Sequence, residues 1–395
     1  IASCLVGSEM CIRDRNIAVI TGEESGDKLA ASAIRELKLQ YKENIYLFGI
    51  GGNALKDQGI DNLFDISEIN VMGLIEVLPK VIKINKIINK TVDKIIEMKP
   101  DIVFTVDSPD FTLRVARRIK SKKRELKIIH YVAPSVWAWR PGRIKTVKKS
   151  VDHLLTILPF EKKIFDSHNI KTTFVGHPIT EVDLSEYKSD TINKPESSQK
   201  EIFLIMPGSR RKEIEMLLPT YLSAVDEMNL KTRFRLVIPT TKNMTKTVKS
   251  IIEDYSSNIP IEVIDDEKEK YSCFFKANFA IVTSGTAALE LSYFNTLYIT
   301  AYRFNPLTYF LLNLMIKSKI GNLINIILGK MVIPELLQNE CNKKNIIKFI
   351  NKYLEDENYR SDVINQTKEA IKQLSTAQTP SRLAATAILD ACNEK

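Results

Sequence analysis

The stretch IVTSGTAALE, residues 281–290, indicates how this chain folds. Its apolar start continues a run from Phe279 that is typical of a buried strand, and Ser284, Gly285 and Thr286 predict a turn into a helix. Such a turn brings unpaired backbone N–H groups and the positive end of a helix dipole together. We therefore expect an anion such as a diphosphate to bind here, although an ordinary capped helix is the structural alternative.

Glu290 follows Thr286 by four residues, so the two share a face of the predicted helix. A carboxylate in that position would reach a ligand held at the helix start. It could accept hydrogen bonds from the hydroxyl groups of a ribose.

Working outward from this stretch, short apolar runs alternate with helical patterns in both halves of the chain. This alternation predicts an α/β fold with parallel sheets, in which ligands bind beyond the carboxyl ends of the strands. The predicted strands are residues 17–20, 45–50, 102–106, 127–132, 154–157, 173–175, 202–206, 234–238, 261–264, 278–282 and 297–300.

The composition fits a protein of two domains. The chain has 395 residues, of which 44% are hydrophobic, and the polar residues 193–199 predict a linker. A net charge of +9 suits anionic partners, whether phosphorylated substrate, nucleic acid or lipid surface. We expect residues 1–15 to be a non-native or disordered leader, and no later stretch predicts a membrane span.

Five cysteines without CxxC spacing favour a reducing compartment, with no disulfide and no zinc site. They are Cys4, Cys11, Cys273, Cys341 and Cys392.

Two predicted strands, residues 17–20 and 102–106, end in motifs that place polar groups at the edge of the sheet where ligands are expected to bind. TGEESGD, residues 21–27, has two glycines that permit close backbone approach, and Ser25 or Asp27 is expected to cap the next helix. DSPDF, residues 107–111, has Pro109 at the first helical position and Ser108 as the cap. Asp107 is the better candidate for a general base, with a loop cap as the alternative.

Three further stretches are candidates for ligand contacts. Residues 130–140 combine His130 and Arg140 with both tryptophans, which suits the wall of a sugar site, and His177 follows the last strand of this half. For either histidine alone, a structural role in which it satisfies a backbone group is the safer interpretation. Residues 71–78 are apolar and precede a basic segment, so they predict either core packing or contact with acyl chains or a membrane. Arg210, at a helix start, makes better sense with an anion beside it.

These motifs, in this order and spacing, resemble the lipid-A-disaccharide synthase family from about Asn16 to the last helices. The resemblance rests on residues 22–27, 71–73, 107–111, 130–140, 158–161, 176–177, 207–210, 284–290 and 335–338.

The resemblance implies a GT-B fold, in which two Rossmann-like parallel-sheet domains face each other across a cleft. The corresponding domains are residues 16–185 on the acceptor side and 201–370 on the UDP-sugar side, joined by a linker at 186–200. Residues 371–395 would form C-terminal helices that cross back to the first domain.

The resemblance also implies the reaction. A 2,3-diacylglucosamine unit would pass from UDP to the 6-hydroxyl of 2,3-diacylglucosamine 1-phosphate in a single inverting displacement, with Asp107 as the base. Substrate-binding positions carried over or proposed above are Glu23, Ser25, His130, Trp139, Arg140, His177, Arg210, Ser284, Thr286, Glu290, Asn325 and Gln338. Asn325 is preceded by Ile324 where many relatives would have proline.

Membrane attachment follows from the same resemblance. It implies a cytoplasmic protein bound peripherally to the anionic inner face of the bacterial inner membrane, and it allows a homodimer. The positions expected to contact acyl chains or the membrane are Val71, Met72, Leu74 and Ile75. No Asp-x-Asp triplet occurs, so we expect no metal that bridges the diphosphate, and we expect no other cofactor. The basic residues 210–212 lie apart in sequence from Trp137 and Trp139, so we expect no nucleic-acid partner.

Two other functions remain open from the residues. A UDP-sugar 2-epimerase or another UDP-sugar transferase would share the fold and the nucleotide site, but would not explain residues 71–78. A non-enzymatic binder of anionic ligands would require basic and aromatic residues interleaved on one face.

Overall fold

The computed structural model describes residues 15–41, 44–64, 77–138, 140–187, 201–255, 260–304 and 321–394. They form two compact units, the first running to Pro178 and resuming at Ser375, the second comprising Ile179–Leu374. The predicted leader, except for Arg15, and the predicted linker at 186–200, except for residues 186 and 187, lie outside the described residues. So do five of the predicted contact positions, which are Val71, Met72, Leu74, Ile75 and Trp139.

The first unit contains a parallel sheet of seven strands in the order β3-β2-β1-β4-β5-β6-β7. Its strands are β1 Arg15–Thr21, β2 Ile45–Ile50, β3 Asp61–Asn62, β4 Ile102–Val106, β5 Lys127–Tyr131, β6 His153–Thr156 and β7 Thr172–Phe174. Its helices are α1 Glu24–Gln40, α2 Asn53–Lys56, α3 Val77–Met98, α4 Pro109–Lys122, α5 Arg143–Ser150, α6 Glu161–Asp166 and α14 Pro380–Asn393.

Helices cover both faces of this sheet because successive side chains of a strand point to opposite faces. Ile17 and Val19 of β1 pack in a core with α1 and α14. Ala18 and Ile20, the alternate residues, pack with α3 and α4. The C-terminal helix α14 therefore belongs to the first unit.

The second unit contains a parallel sheet of six strands in the order β10-β9-β8-β11-β12-β13. Its strands are β8 Glu201–Met206, β9 Phe234–Pro239, β10 Ile261–Ile264, β11 Ala277–Val282, β12 Leu297–Tyr302 and β13 Glu335–Leu337. Its helices are α7 Arg211–Glu227, α8 Thr245–Asp254, α9 Glu267–Lys276, α10 Thr286–Tyr293, α11 Leu323–Leu328, α12 Lys343–Glu355 and α13 Glu357–Lys372.

The two sheets confirm the predicted α/β class, and every predicted strand is present within two residues of its expected bounds. The short strands β3 and β13 were not predicted. Among the helices the structure describes, none is long and apolar enough to cross a membrane.

The start of α1 corrects one prediction. The helix begins at Glu24, before both expected cap residues, and Glu23 is its N-cap residue without a side-chain cap bond. Ser25 and Asp27 therefore lie in the first turn and do not cap the helix. Asp27 is buried and accepts hydrogen bonds from the N–H groups of Gly52 and Ala54, at 2.6 and 2.9 Å, so it fixes the turn between β2 and α2.

Candidate active site

In each sheet the first strand in sequence is central, and later strands are added first on one side of it and then on the other. The place where this order reverses is the switch point, and ligands of such folds bind there. In the second unit, β8 has β9 on one side and β11 on the other. A cavity of about 510 Å³ lies at the carboxyl ends of these strands. It brings together four predicted site residues, which are Arg210, Ser284, Thr286 and Glu290.

The predicted helix start forms one wall of the cavity. α10 begins at Thr286, and its N-cap residue Gly285 has φ of 142°, in the region that favours glycine. The first N–H groups of the helix have no partner within it, so they and the dipole favour an anion at this wall. The Ser284 hydroxyl donates to the Gly321 carbonyl at 2.9 Å, which leaves the backbone of this turn as its main ligand-binding feature.

A second wall carries Arg210, the N-cap residue of α7. Its guanidinium lies 3.0 Å from Glu213 Oε1, and its side chain is 81% exposed. The Tyr302 hydroxyl donates to the same Glu213 oxygen at 3.0 Å. The Arg210 side chain is therefore free to reach an anion in the cavity at little cost, because exposed ion pairs contribute little to stability.

The third wall holds Glu290 between two residues that the sequence analysis did not single out. Lys270 Nζ lies 2.9 Å from Glu290 Oε2, and the Tyr271 hydroxyl donates to Oε1 at 3.1 Å. Burial, followed by the charge of Glu290, raises the pKa of Tyr271 above its ordinary value, so this hydroxyl stays a donor. Lys270 and Tyr271 come from α9, about twenty residues away in sequence, and no local pattern indicated the contact.

Asn325 does not have the environment expected of a ligand-binding residue. It is fully buried, and its Oδ1 accepts from the N–H groups of Val332 and Ile333, both at 2.8 Å. Its Nδ2 donates to the Ile333 carbonyl at 2.8 Å and to Glu335 Oε1 at 2.7 Å. These bonds use the hydrogen-bonding capacity of the amide. Asn325 therefore fixes the loop that leads into β13, and its expected role in holding the nucleotide sugar remains a prediction.

Gln338, at the end of β13, is in a different situation. Its φ is 53°, and its buried Nε2 has no hydrogen-bond partner among the described residues. Strained backbone and an unsatisfied buried donor are both features that accompany binding sites. Its expected role in binding substrate remains a prediction.

In the first unit, the switch point lies between β1 and β4, and Asp107 follows β4 there. Asp107 and Ser108 both have left-handed φ values, 52° and 44°, which cost on the order of 1–2 kcal/mol for each non-glycine residue. Ser25, from the start of α1, donates its hydroxyl to Asp107 Oδ2 at 3.4 Å. Ser108 is the N-cap residue of α4 as predicted, but its side chain makes no cap bond.

Two glycines allow this turn to approach the loop after β1. A Cβ on Gly22 would lie 2.6 Å from Ser108 Cβ, and one on Gly26 would lie 3.3 Å from Asp107 Cβ. The first of these distances is too short for any side chain. The glycines of the TGEESGD stretch are therefore needed for close packing against Asp107 and Ser108.

Of the histidines predicted for this site, His130 is fully buried and His177 is half-buried. His130 lies in β5, with Nδ1 2.8 Å from the Thr105 hydroxyl and with Nε2 unpartnered within the described part of the chain. Burial lowers the pKa of His130 and of His177 to about 4 each. Both rings are therefore neutral near pH 7, and neither would bring a positive charge to a phosphate.

A buried carboxyl group supports the tryptophan that the structure describes. Glu161, at the start of α6, accepts from Trp137 Nε1 at 3.1 Å and from the Leu158 N–H at 3.2 Å. Burial raises the pKa of Glu161 to about 7. The Trp137 ring also packs edge-on against Phe160, with the ring centroids 5.2 Å apart.

Arg140 lies beyond Trp137 on an exposed turn, with φ of 50°. Its guanidinium is 3.5 Å from Asp110 Oδ1, and Arg143 makes a closer ion pair with the same oxygen. Glu23 and Ser25 are both exposed at the start of α1. The first unit therefore brings Asp107 and Ser25 together directly, with Glu23 two residues from Ser25.

Comparison with known proteins decides the family. The profile of the family described as lipid-A-disaccharide synthetase matches residues 17–388. The lipid-A-disaccharide synthase of Rhodospirillum centenum is 32% identical over 96% of this chain and 95% of its own length. That of Bradyrhizobium diazoefficiens is 33% identical over 95% of this chain and 96% of its own.

The chain belongs to the lipid-A-disaccharide synthase family.

Membership of the lipid-A-disaccharide synthase family makes the chain a glycosyltransferase and confirms the resemblance predicted from its motifs. Solved structures confirm the GT-B fold. A UDP-GlcNAc 2-epimerase from Neisseria meningitidis, bound to UDP-GlcNAc, aligns with a TM-score of 0.62 and 15% identity, covering 96% of this chain and 100% of its own. A calicheamicin glycosyltransferase aligns with a TM-score of 0.62 and 12% identity, covering 97% of this chain and 99% of its own. At these identities the likeness is one of fold, so it does not favour an epimerase.

Proposed function

We propose that this chain joins UDP-2,3-diacylglucosamine and 2,3-diacylglucosamine 1-phosphate into a β-1,6-linked disaccharide 1-phosphate and releases UDP. Family membership supports the reaction. The observation that carries the assignment of roles is the pair of switch points, because one combines a helix start with Arg210 and the other presents Asp107. These are the two requirements of the reaction, a site for a departing diphosphate and a base for an incoming hydroxyl.

In this proposal the second unit binds the donor. The N–H groups at the start of α10 and the Arg210 guanidinium would bind the diphosphate, and Glu290 would accept hydrogen bonds from the ribose. The electron pair of the breaking bond between the anomeric carbon and oxygen stays on UDP. Donors that already point at the diphosphate stabilise this developing charge without having to reorganise.

The first unit would supply the base. Asp107 would accept the proton of the acceptor 6-hydroxyl while that oxygen forms its bond to the anomeric carbon on the face opposite UDP. One displacement of this kind inverts the anomeric centre and gives the β linkage. Ser25, which donates to Asp107 in the structure, would orient the carboxylate.

The test is formation of disaccharide 1-phosphate from the two diacylglucosamine substrates in the presence of EDTA. We expect turnover by the wild type and a loss of ~100-fold or more in Asp107→Ala, the range typical of general-base catalysis. A folded wild type that forms no disaccharide but releases UDP with another acceptor would contradict the proposal. Activity lost on adding EDTA would contradict a metal-independent reaction.

We further propose that the first unit binds an anionic membrane surface through helices α4 and α5, which pack side by side. Together these helices carry nine lysines and arginines and one aspartate. The helices α1 and α14 on the opposite face of the sheet carry four basic and four acidic residues. This asymmetry supports attraction of one face to anionic lipid, where each basic residue contributes about 1 kcal/mol.

Vesicle sedimentation tests this surface. A triple variant, Lys145→Gln, Lys148→Gln and Lys149→Gln, removes three exposed charges of α5 and should bind phosphatidylglycerol vesicles on the order of 100-fold less tightly. The matched control on the opposite face is Lys28→Gln, Arg35→Gln and Arg382→Gln, which should bind like the wild type. Equal losses in both variants, or wild-type binding that is equally tight to phosphatidylcholine vesicles, would contradict a role for this face.

A further inference from the structure

Two clusters with the same chemistry lie at the cavity of the second unit, and in one of them the tyrosine contacts its glutamate without lining the cavity itself. Each cluster consists of a cation, a glutamate and a tyrosine. In the first, Arg210 and Tyr302 contact the same oxygen of Glu213, 3.0 Å away in each case. In the second, Lys270 and Tyr271 contact different oxygens of Glu290.

The difference determines how firmly each carboxylate is held. Because Lys270 takes Oε2 and Tyr271 takes Oε1, both ends of the Glu290 carboxylate are fixed. Both donors are neighbours on α9, so the carboxylate is oriented by a single helix. Each carboxylate oxygen accepts about two hydrogen bonds, so acceptor capacity remains for a ligand.

The two donors of this cluster are themselves held by aromatic packing. The Tyr271 ring stacks on Phe294 with the centroids 5.6 Å apart and packs edge-on against Phe274 at 6.0 Å. Lys270 Nζ lies 4.8 Å from the centroid of the Tyr271 ring, within the range of a cation–π interaction. The Lys270 side chain is 26% exposed, whereas that of Arg210 is 81% exposed.

We infer that Lys270 and Tyr271 are positioning residues that orient Glu290 toward the ribose hydroxyls of the donor, and that this cluster makes the enzyme selective for a ribonucleotide. The inference rests on the proposed function, because it takes a nucleoside diphosphate as the ligand of the cavity. It assigns to Lys270 and Tyr271 a part in recognition of the sugar of the nucleotide, not of its phosphates. Oriented acceptors of this kind discriminate strongly against an analogue that lacks the hydroxyl groups, because Glu290 would then lose those partners.

Binding of UDP and of 2′,3′-dideoxy-UDP, measured by calorimetry, tests the inference in the full chain. The wild type should prefer UDP by at least roughly tenfold, as expected for hydrogen bonds to a charged group. Tyr271→Phe removes only the hydroxyl and keeps the ring packing, and Lys270→Met removes the charge and keeps most of the side chain. Both variants should lose most of the preference by weakening the binding of UDP, with the affinity for dideoxy-UDP changed less than about twofold.

Tyr302→Phe is the matched control, because it removes the corresponding hydroxyl from the Glu213 cluster in the same cavity. It should retain the wild-type preference for UDP. Glu290→Gln should reduce the preference to the same extent as Tyr271→Phe.

Different failures have different meanings. Equal loss of both nucleotides in Tyr271→Phe and Lys270→Met would show a merely structural role and overturn the inference. A wild-type preference that survives in Glu290→Gln would also overturn it, because Glu290 would then not contact the ribose. If the folded wild type bound neither nucleotide, the proposed donor site itself would be wrong.

Discussion

The switch points of the two sheets hold their polar groups in different ways. In the second unit, Glu213 and Glu290 are each paired with a cation and a tyrosine beside the start of a helix. In the first unit, Asp107 lies on a strained turn, and the two histidines predicted for the site are neutral. The second site suits a ligand with fixed negative charge, whereas the first presents a single carboxylate to a ligand that changes protonation.

Backbone strain is a second difference between the two switch points. Asp107, Ser108 and Val132 have positive φ at the ends of the neighbouring strands β4 and β5, and the β-branched Val132, at 74°, is the most unusual of them. In the second unit, the loops after β8 and β11 have glycines at positive φ, since Gly208 and Gly285 have φ of 111° and 142°. Strain at non-glycine residues persists only where the surrounding structure enforces it, which points to a constraint on the position of Asp107.

The largest effect should come from disturbing this strained turn. In Gly22→Ala the new Cβ would lie 2.6 Å from Ser108 Cβ, so the turn that carries Asp107 must shift. We expect disaccharide formation to fall on the order of 10²–10⁴-fold, as for loss of a general base. UDP affinity, measured by calorimetry, should stay within about twofold because the proposed donor residues belong to the second unit.

A compensating substitution separates displacement from misfolding. Gly22→Ala combined with Ser108→Gly removes the clashing side chain and should recover most of the activity, since glycine also relieves the left-handed φ at position 108. Gly142→Ala, whose Cβ would meet nothing within 4 Å, is the control and should be fully active. If the double variant stayed as inactive as Gly22→Ala, the contact with Ser108 would not explain the loss.

The second prediction concerns Asn325, whose buried amide makes hydrogen bonds to the loop before β13 and to Glu335. Asn325→Ala removes the acceptor of the buried N–H groups of Val332 and Ile333, and Glu335 Oε1 keeps only its bond from the Asn322 N–H. We expect unfolding in urea to show a loss of about 3 kcal/mol, because each unsatisfied buried group costs ~1–3 kcal/mol. The affinity of the folded protein for UDP should change less than about threefold.

Asn339→Ala is the matched control for this variant. Asn339 is exposed, and within the described residues it is the backbone carbonyl of Asn339, not its side chain, that makes a hydrogen bond. It should alter the free energy of unfolding by at most ~0.5 kcal/mol. A stable Asn325→Ala protein with greatly weakened UDP binding would restore the ligand-binding role expected from the family.

The third prediction uses pH to test the buried carboxyl group of the first unit. The pKa of Glu161 is raised to about 7, so the folded chain retains a proton that the unfolded chain releases nearer its ordinary pKa. The stabilisation that comes from the neutral Glu161 carboxyl is fully present below the pKa of this group in the unfolded chain. It is lost as pH rises through about 7, the pKa in the folded chain. Glu161→Gln stays neutral, so its stability relative to the wild type should rise by roughly 2–3 kcal/mol between pH 5 and 8.

Urea unfolding of both proteins across this pH range measures the difference in their free energies of unfolding. The lowered pKa values of His130 and His177 affect both proteins equally, so they do not contribute to this difference. Trp137→Phe provides a second check. The Trp137 hydrogen bond lowers the pKa of Glu161, so its removal should move the midpoint to higher pH. A stability difference that stayed flat from pH 5 to 8 would mean that Glu161 is ionised in the folded protein throughout.

The sequence was sufficient for the features that depend on local pattern. Apolar runs located the long strands, and the rule for parallel sheets placed Asp107 and Ser284 at their ligand edges. The strands β3 and β13 were missed because Asp61–Asn62 and Glu335–Leu337 are too short to form a recognisable pattern. Family motifs included Asn325 but did not reveal that its amide is hydrogen-bonded within a loop.

Contacts between distant segments were not predictable in the same way. Lys270 meets Glu290 from a different helix, and Trp137 meets Glu161 across 24 residues of sequence. Nothing in the spacing of these residues distinguishes a partner from any other lysine or tryptophan. The burial that keeps His130 neutral likewise depends on helices that pack over its strand, so the sequence alone left its charge open.

The smallest effect should come from the exposed cation of the second site. Arg210 and Arg211 are neighbours at the start of α7, each pairs with a glutamate on that helix, and only Arg210 lines the cavity. Arg210→Gln should weaken UDP binding about 5- to 10-fold, near 1 kcal/mol, by removing one charge-assisted hydrogen bond to the diphosphate. Arg211→Gln should bind UDP like the wild type, and because both ion pairs are exposed, neither change should move the free energy of unfolding beyond ~0.5 kcal/mol. Equal affinities in the two variants would remove Arg210 from the anion site and leave the start of α10 to hold the diphosphate alone.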